Sequence, residues 1–151
     1  MKRLTLVIIK NGPRVLLGMK KRGFGEGKWN GFGGKVEEGE TVEAAAEREL
    51  SEECGIRAPL ECRGKLRFHF GDDPVDHEVH VFFSEAHEGD PVETDEMRPQ
   101  WFHLDEIPFH LMWPDDRHWL PLVLEGKSVD GHFWFEGEEI VKYRLETPAH
   151  A

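Results

Sequence analysis

The acidic segment from Gly34 to Ile56 constrains this chain more than any other feature of its sequence. Eight glutamates lie between Glu37 and Glu53, and Arg48 is the only basic residue among them. Like charges four positions apart on a helix repel each other by about 0.2–0.5 kcal/mol per pair. The segment therefore predicts a positively charged partner, such as a bound cation.

The same segment carries the signals of one amphipathic helix. Thr41 suits the N-cap of a helix that begins at Val42, and Gly55 suits its C-terminal cap. At about 100° per residue, small apolar residues of the first turns share a face with three carboxylates further along: Val42, Ala45, Ala46, Glu49, Glu52 and Glu53. The solvent face would carry Ala44, Glu47 and Ser51.

Carboxylates on the apolar face of a helix are expensive to bury without a partner, and divalent cations are the usual compensation. Oxygen ligands without a nearby cluster of cysteine or histidine favour Mg²⁺, or alternatively Mn²⁺, over zinc. A solvated acidic helix is the alternative interpretation, and the shared apolar face argues against it.

The spacing of this segment also resembles the Nudix box, the signature of the Nudix hydrolase family. Every position of that signature is filled: Gly34, Glu40, Arg48, Glu49, Leu50, Glu52, Glu53, Gly55 and Ile56. The resemblance implies an α/β/α sandwich and a loop–helix–loop that holds divalent metal ions against a diphosphate, which water then hydrolyses.

The resemblance assigns roles to residues as well. It implies that Glu49, Glu52 and Glu53 bind the metal and that one of them serves as general base. It adds the backbone carbonyl of Gly33 as a ligand and Glu96 as a further ligand or base, although Glu96 alone would pass for an exposed loop acid.

Beyond the box, the stretches VLLGMKKRGFGEGKWNGFGGKVEEGE, DEMRPQWF and MWPDD resemble the Nudix hydrolases that act on oxidised purine nucleoside triphosphates. The likeness runs from about Leu4 to about Leu145. It implies hydrolysis to a monophosphate and pyrophosphate. It also implies that Asp115 and Asp116 contact the edge of the base and that Thr5 lines the same pocket.

A purine pocket needs flat apolar walls and a few polar groups that face the base. The candidate walls, each of which could equally be ordinary core, are Phe24, Phe32, Phe68, Met97 and Trp113. Asn30 offers both a donor and an acceptor. Lys20 is the candidate phosphate contact, in competition with Lys21, Arg22 and Lys35; Gly33, Gly34 and Lys35 complete the expected phosphate-binding loop.

Asp115 and Asp116 allow a specific hypothesis about the base. Two carboxyl groups in an apolar pocket raise each other's proton affinity, so that one stays protonated and the pair can both donate and accept. Such a pair would bind oxidised guanine and 2-hydroxyadenine alike. The alternative is that one aspartate is a helix N-cap. His77 departs from the resemblance, which implies an apolar residue there.

The rest of the chain predicts an α+β fold, a mixed sheet flanked by two helices. Residues 1–151 suit a single domain. The second helix is expected at Arg117–Glu125, with Pro121 near its first turn. The expected strands are Leu4–Ile9, Val15–Lys20, a pair around Leu66–Phe70 and Val79–Phe83, Arg98–Leu104, Val129–Phe135 and Glu139–Leu145.

Net charge, the length of the apolar runs and the cysteine content limit the possible binding partners and cellular locations. A net charge of −11 argues against general nucleic-acid binding, and no apolar run approaches the length of a membrane span. Cys54 and Cys62 suggest free thiols in a reducing compartment. We therefore expect a cytoplasmic monomer, with mitochondrial or nuclear forms as a further option. The alternatives to the oxidised-purine substrate are an ADP-sugar, a dinucleoside polyphosphate, or a non-catalytic nucleotide sensor.

Overall fold

Strands with alternating apolar residues form one eight-stranded mixed sheet in the computed structural model, which describes residues 1–148. Two short 3₁₀ segments, Leu104–Glu106 and Phe109–Leu111, precede the second helix. The strands and α-helices follow one another as β1 (Lys2–Asn11), β2 (Arg14–Lys20), β3 (Trp29–Asn30), α1 (Val42–Cys54), β4 (Glu61–Phe70), β5 (His77–Ser84), β6 (Met97–His103), α2 (Asp116–Leu124), β7 (Val129–Glu136) and β8 (Glu139–Glu146).

The strand order in the sheet is β3-β2-β1-β5-β4-β7-β8, and β6 pairs with β2. The pairs β1–β5 and β4–β7 are parallel, and the other pairs are antiparallel. The chain that follows β3 also hydrogen-bonds to β1, because Phe32 bridges to Val7 and Lys35 bridges to Leu4. This pairing places the loop before α1 against the middle of the sheet.

The two faces of the sheet bury separate apolar clusters. On one face, α1 contributes Ala46, Leu50 and Cys54 to a cluster with Val7 and Phe82. On the other face, α2 contributes its apolar side to a larger cluster that includes Trp119, Leu120, Val123, Leu66, Val81 and Phe133. Alternation along each strand sends successive side chains to opposite clusters, so neighbouring residues serve different helices.

All the expected strands and helices are present, although β4 begins at Glu61 and not near Leu66. The short strand β3 lies between β2 and α1, where the sequence predicts no strand, since two residues are too few for a periodic signal. Helix α2 begins one residue earlier than expected, and Pro121 lies within it. Proline costs a helix one backbone hydrogen bond. No helix among the described residues is long and apolar enough to cross a bilayer.

Candidate active site

Helix α1 has the two caps that the sequence predicts. Thr41 Oγ1 accepts a 3.1 Å hydrogen bond from the N–H of Ala44. Gly55 ends the helix with a φ of 76°, a left-handed conformation that glycine adopts at little cost. These bounds place Glu49 and Glu53 in the C-terminal half of the helix.

Three carboxylates from two distant parts of the chain meet beside α1. Oxygen atoms of Glu49, Glu53 and Glu96 lie within 4.8 Å of one another. Glu53 is only 1% exposed, and its Oε1 accepts a 2.7 Å hydrogen bond from the N–H of Gly33. Clustered carboxylate oxygens are the ligands that hard divalent cations such as Mg²⁺ prefer. The fold therefore brings Glu96 to the box residues.

Burial disfavours the ionised forms of the carboxylates in this cluster. Burial raises the pKa of Glu53 to about 8; Glu49 and Glu96 add to this, while the N–H of Gly33 and the charge of Lys20 oppose it. Burial also raises the pKa of Glu49, against the opposing effect of Arg48. A divalent ion would reverse both shifts, because it favours the ionised carboxylates.

Glu52 does not join the three carboxylates. Its side chain is 57% exposed and lies 3.3 Å from Nη1 of Arg48. The expectation that it shares the inward face of α1 is wrong for this structure, because it lies about 100° around the helix from Glu53. A role for Glu52 in catalysis stays a prediction.

Arg48 holds the acidic segment together. Its Nε and Nη2 bind the two carboxylate oxygens of Glu40 at 2.8 and 3.0 Å. Its Nη1 lies 3.0 Å from Oε1 of Glu49, and Nη2 donates to the carbonyl of Lys35. The guanidinium lowers the pKa of Glu40 to about 2, with help from the N–H of Glu37. Arg48 therefore orients Glu49 and ties α1 to the preceding loop.

Gly33 and Gly34 lie where no side chain fits. A Cβ on Gly33 would lie 1.8 Å from the carbonyl oxygen of Thr5, and a Cβ on Gly34 would lie 2.6 Å from Oε1 of Glu49. The absence of side chains thus allows the loop to pass between β1 and the carboxylates.

Thr5 occupies a different place from the one expected. It is buried, and its Oγ1 lies 3.4 Å from the N of Gly34 and 3.5 Å from its carbonyl oxygen. It alternates with Leu6, which packs on the α2 side of the sheet. Thr5 therefore supports the loop on the α1 side and does not line the aromatic surface beside α2.

Phe32 and Met97 also lie on the α1 side. Both are fully buried in the cluster beneath α1. Both side chains also lie against Gly18, where an added Cβ would be 2.6 Å from Cε of Met97 and 2.9 Å from Cε1 of Phe32. The expectation that they form walls of the same surface as Phe68 and Trp113 is wrong for this structure. Alternation along the strands puts them on the opposite face of the sheet.

Five aromatic side chains form a cluster on the α2 side, which we call the aromatic cluster: Phe24, Phe68, Phe70, Trp113 and Phe135. Phe24 stacks on Trp113 with ring centroids 5.0 Å apart, although Phe24 is largely exposed. Sequence reasoning assigned Phe24, Phe68 and Trp113 but missed Phe70 and Phe135. Their alternation with Phe68 and Phe133 along β4 and β7 was the available signal.

Asp115 and Asp116 are buried at the start of α2, with exposures of 4% and 3%. Oδ2 of Asp115 accepts a 2.8 Å hydrogen bond from Nε1 of Trp119, and it makes no capping bond. Oδ2 of Asp116 has no hydrogen-bond partner among residues 1–148. Burial raises the pKa of Asp115 to about 6 and that of Asp116 well above its ordinary value, the latter also because of Asp115. The pair therefore suits a shared proton.

The remaining polar candidates belong to β2, to β3 and to the loop before α1. Asn30 is half-buried, and its Oδ1 accepts a 2.8 Å hydrogen bond from the N–H of Gly31. Lys20 is half-buried and close enough to Glu53 to influence its ionisation. Lys35 is exposed. Lys28, which sequence reasoning did not assign, places its Nζ 5.2 Å from the ring centre of Trp113 and pairs with Glu138.

Comparison with known proteins places this arrangement in a family. The NUDIX domain model matches residues 1–123 of the chain. The chain belongs to the Nudix family. The curated oxidized purine nucleoside triphosphate hydrolase of zebrafish is 53% identical over 147 residues, which is 96% of this chain and 94% of that protein. The mouse protein of the same name is 52% identical over 143 residues, 93% of this chain and 92% of its own length.

Solved structures agree with the fold. The crystal structure of a MutT protein from Bacillus halodurans has a TM-score of 0.86 at 28% identity, and the match covers 97% of this chain and 98% of that one. The predicted family and the α+β sandwich are thus confirmed. As a Nudix hydrolase the protein acts on small-molecule nucleotides, and its acidic cluster suits the divalent metal that this family uses.

Proposed function

We propose that the protein hydrolyses oxidised purine nucleoside triphosphates, such as 8-oxo-dGTP and 2-hydroxy-dATP, to monophosphates and pyrophosphate. Mg²⁺ is the proposed metal, with Mn²⁺ as a substitute, and the biological role is removal of damaged nucleotides before polymerases use them. The observation that carries the proposal is the buried pair Asp115 and Asp116, in which Oδ2 of Asp116 has no partner among the described residues. The zebrafish and mouse relatives support the same substrate class.

Glu49, Glu53 and Glu96 would hold the metal, with the carbonyl of Gly33 as a further ligand. When bound, a divalent ion neutralises phosphate charge and lowers the pKa of water. The surrounding residues fix these carboxylates, since Gly33 anchors Glu53 and Arg48 anchors Glu49. With a pKa of about 8, Glu53 is mostly protonated at pH 7 when no cation is bound, so metal binding favours its ionisation.

The chemistry needs no covalent enzyme intermediate. A water molecule attacks a phosphorus atom, the bond from that phosphorus to the bridging oxygen breaks, and a carboxylate of the cluster takes the proton of the water. Lys20, close to Glu53, would contribute charge to the phosphates, and the backbone of Gly33, Gly34 and Lys35 would lie beside them.

The aspartate pair would select the base. With one proton between them, Asp115 and Asp116 present one donor and one acceptor to the edge of a purine. Moving that proton from one oxygen to another would exchange the two roles. A single site can therefore bind oxidised guanine and 2-hydroxyadenine, and the aromatic cluster together with the amide of Asn30 would complete the contact.

The test is pyrophosphate release with Mg²⁺, in which kcat/KM for 8-oxo-dGTP is compared with that for dGTP, with ADP-ribose as a control. A large preference for the oxidised nucleotide supports the proposal. Turnover of ADP-ribose alone would retain the chemistry and overturn the assignment of the base-binding residues. Failure to hydrolyse any of them, despite binding Mg²⁺, would indicate a nucleotide sensor.

We also propose that the protein is a cytoplasmic monomer, with mitochondrial or nuclear pools, that binds neither nucleic acid nor membranes. Free Cys54 and Cys62 are compatible with a reducing compartment. Light scattering of the purified protein and fractionation of cells test the two parts separately.

A further inference from the structure

His77 is the first residue of β5, and its side chain lies against the aromatic cluster. Its ring centroid is 5.0 Å from that of Phe70, with the rings inclined by 60°. Phe70 in turn contacts Phe24 and Trp113 in edge-to-face arrangements. The imidazole is therefore a polar neighbour of the surface that would receive the base.

The backbone of His77 is held by strand pairing on both sides. Its Cα pairs with Phe68 on β4 and with Lys2 on β1, so the residue is fixed from both sides of the strand. The N–H of Lys2 also donates a 2.9 Å hydrogen bond to the carbonyl of Asp76, directly before His77. Only the side-chain torsions of His77 therefore remain to be fixed when a ligand binds.

The ring nitrogens of His77 make no hydrogen bond to any part of the chain between residues 1 and 148. The residue is half-buried. Polar atoms that lose water without gaining a partner are costly, and a ligand that covered this surface would remove the remaining water. These nitrogens are therefore available for a hydrogen bond to that ligand.

Charged groups around His77 come from two elements. Burial lowers the pKa of the imidazole, and Lys2 on β1 lowers it further; Asp73 and Asp76, in the turn between β4 and β5, oppose this. The carboxylate of Asp76 is already bound at 2.8 Å to Nδ1 of His69. The net effect leaves His77 uncharged at neutral pH, with one donor and one acceptor.

We propose that His77 is a specificity-determining residue that hydrogen-bonds to the bound nucleoside in its neutral form, so that its protonation weakens nucleotide binding. This inference rests on the proposed function, because it takes the aromatic cluster as the nucleoside site. Protonation removes the acceptor of the ring. It also places a charge beside the aromatic cluster, where the bound base excludes water and so disfavours a charge.

The test measures the Kd of 8-oxo-dGMP, the expected product, in the absence of metal at pH 5.5, 6.5 and 7.5. The unmodified protein is compared with H77Q, which keeps a donor and an acceptor at every pH, and with H77M, which has no donor and only a weak acceptor. Thermal unfolding at each pH verifies that the variants are folded.

We expect the affinity of the unmodified protein to fall about two- to tenfold more between pH 7.5 and 5.5 than that of H77Q, which is the effect of one hydrogen bond. H77M should bind about two- to tenfold more weakly than H77Q and share its pH dependence. The pH dependence that remains in both variants would belong to Asp115 and Asp116.

Parallel pH curves for all three proteins, with normal binding by the unmodified one, would overturn the inference and leave the proposed function intact. Failure of the unmodified protein to bind 8-oxo-dGMP, together with failure to hydrolyse 8-oxo-dGTP, would remove both. The two results are therefore distinguishable.

Discussion

The backbone N–H of Gly33 donates a 2.7 Å hydrogen bond to Oε1 of Glu53, across a gap of twenty residues in the chain. The bond joins the loop that pairs with β1 to the most buried carboxylate of α1. Because a Cβ on Gly33 would clash with the carbonyl of Thr5, only glycine allows this approach. Gly33 and Glu53, both proposed as metal ligands, are thus fixed to each other by the protein itself.

Glu53→Gln should lower kcat by about 10²–10⁴-fold while leaving the fold intact. The amide oxygen can still accept the hydrogen bond of Gly33, so the geometry survives, but the negative charge that binds metal is lost. The measurement is pyrophosphate release at saturating Mg²⁺, with circular dichroism to confirm folding. Glu47→Gln, on the exposed side of the same helix, is the control and should have near-normal activity. Activity of E53Q within a few-fold of normal would contradict the assigned role.

The sequence predicts the fold well because the relevant signals are local. Thr41 and Gly55 are caps whose effect depends on a few neighbouring residues, and both are observed as predicted. The strands follow from alternation along each segment. Strand β3 was not predictable in this way, because Trp29 and Asn30 become a strand only by pairing with Met19 and Gly18.

The site was less predictable, because its composition depends on which face of the sheet each residue occupies. Phe32 and Met97 have the same character as Phe68 and Trp113, yet they pack beneath α1 on the opposite face. Glu96 lies far from α1 in sequence, and only the fold brings it to Glu49 and Glu53.

Asp116→Asn should change the substrate preference more than Asp115→Asn does. Asp116 carries the buried oxygen without a partner, whereas the oxygen of Asp115 is already bound by Trp119. An amide at position 116 cannot exchange a proton with its neighbour, so the ratio of kcat/KM for 8-oxo-dGTP to that for 2-hydroxy-dATP should shift by about tenfold or more. Steady-state kinetics on both nucleotides provide the measurement. If both variants kept the ratio of the unmodified protein, the proton-exchange hypothesis would be wrong.

In the absence of metal, the stability of the protein should fall as the pH rises from about 5 to about 8. Burial raises the pKa of Glu53 to about 8 and that of Asp115 to about 6, above the values of the unfolded chain. In that range these two carboxyl groups bind more protons in the folded state than in the unfolded state, so their contribution to stability decreases with pH. The histidines with lowered pKa values, His77, His118 and His132, contribute in the opposite sense. A penalty of about 1–2 kcal/mol would lower the Tm by roughly 2–8 °C.

Thermal unfolding in EDTA between about pH 5 and pH 8 tests whether stability decreases with pH. The Tm of E53Q should decline less steeply above pH 6, because the ionisation of Glu53, the largest contribution at high pH, has been removed. Added Mg²⁺ should recover part of the lost stability at pH 8, since it compensates the ionised carboxylates. A Tm that rises steadily from pH 5 to 8 in EDTA would show that these acids are not the controlling groups.

Arg48→Ala should weaken Mg²⁺ binding by about 10–100-fold, the usual cost of losing a group that orients a metal ligand. Nε and Nη2 of Arg48 donate hydrogen bonds to the two carboxylate oxygens of Glu40, and Nη1 donates a 3.0 Å hydrogen bond to Oε1 of Glu49. Without Arg48, Glu49 is free to rotate away from Glu53. The loss of the positive charge also makes the segment more negative, but this attracts cations in general and does not restore the position of Glu49. Titration calorimetry with Mg²⁺ measures the effect. The Mg²⁺ affinity of Arg48→Lys should lie between that of the unmodified protein and that of R48A, because an ammonium keeps the charge without the planar guanidinium. Arg14→Ala, at the exposed start of β2, should leave the affinity unchanged. Equal Mg²⁺ affinity in R48A and R14A would show that the carboxylates keep their positions without the guanidinium.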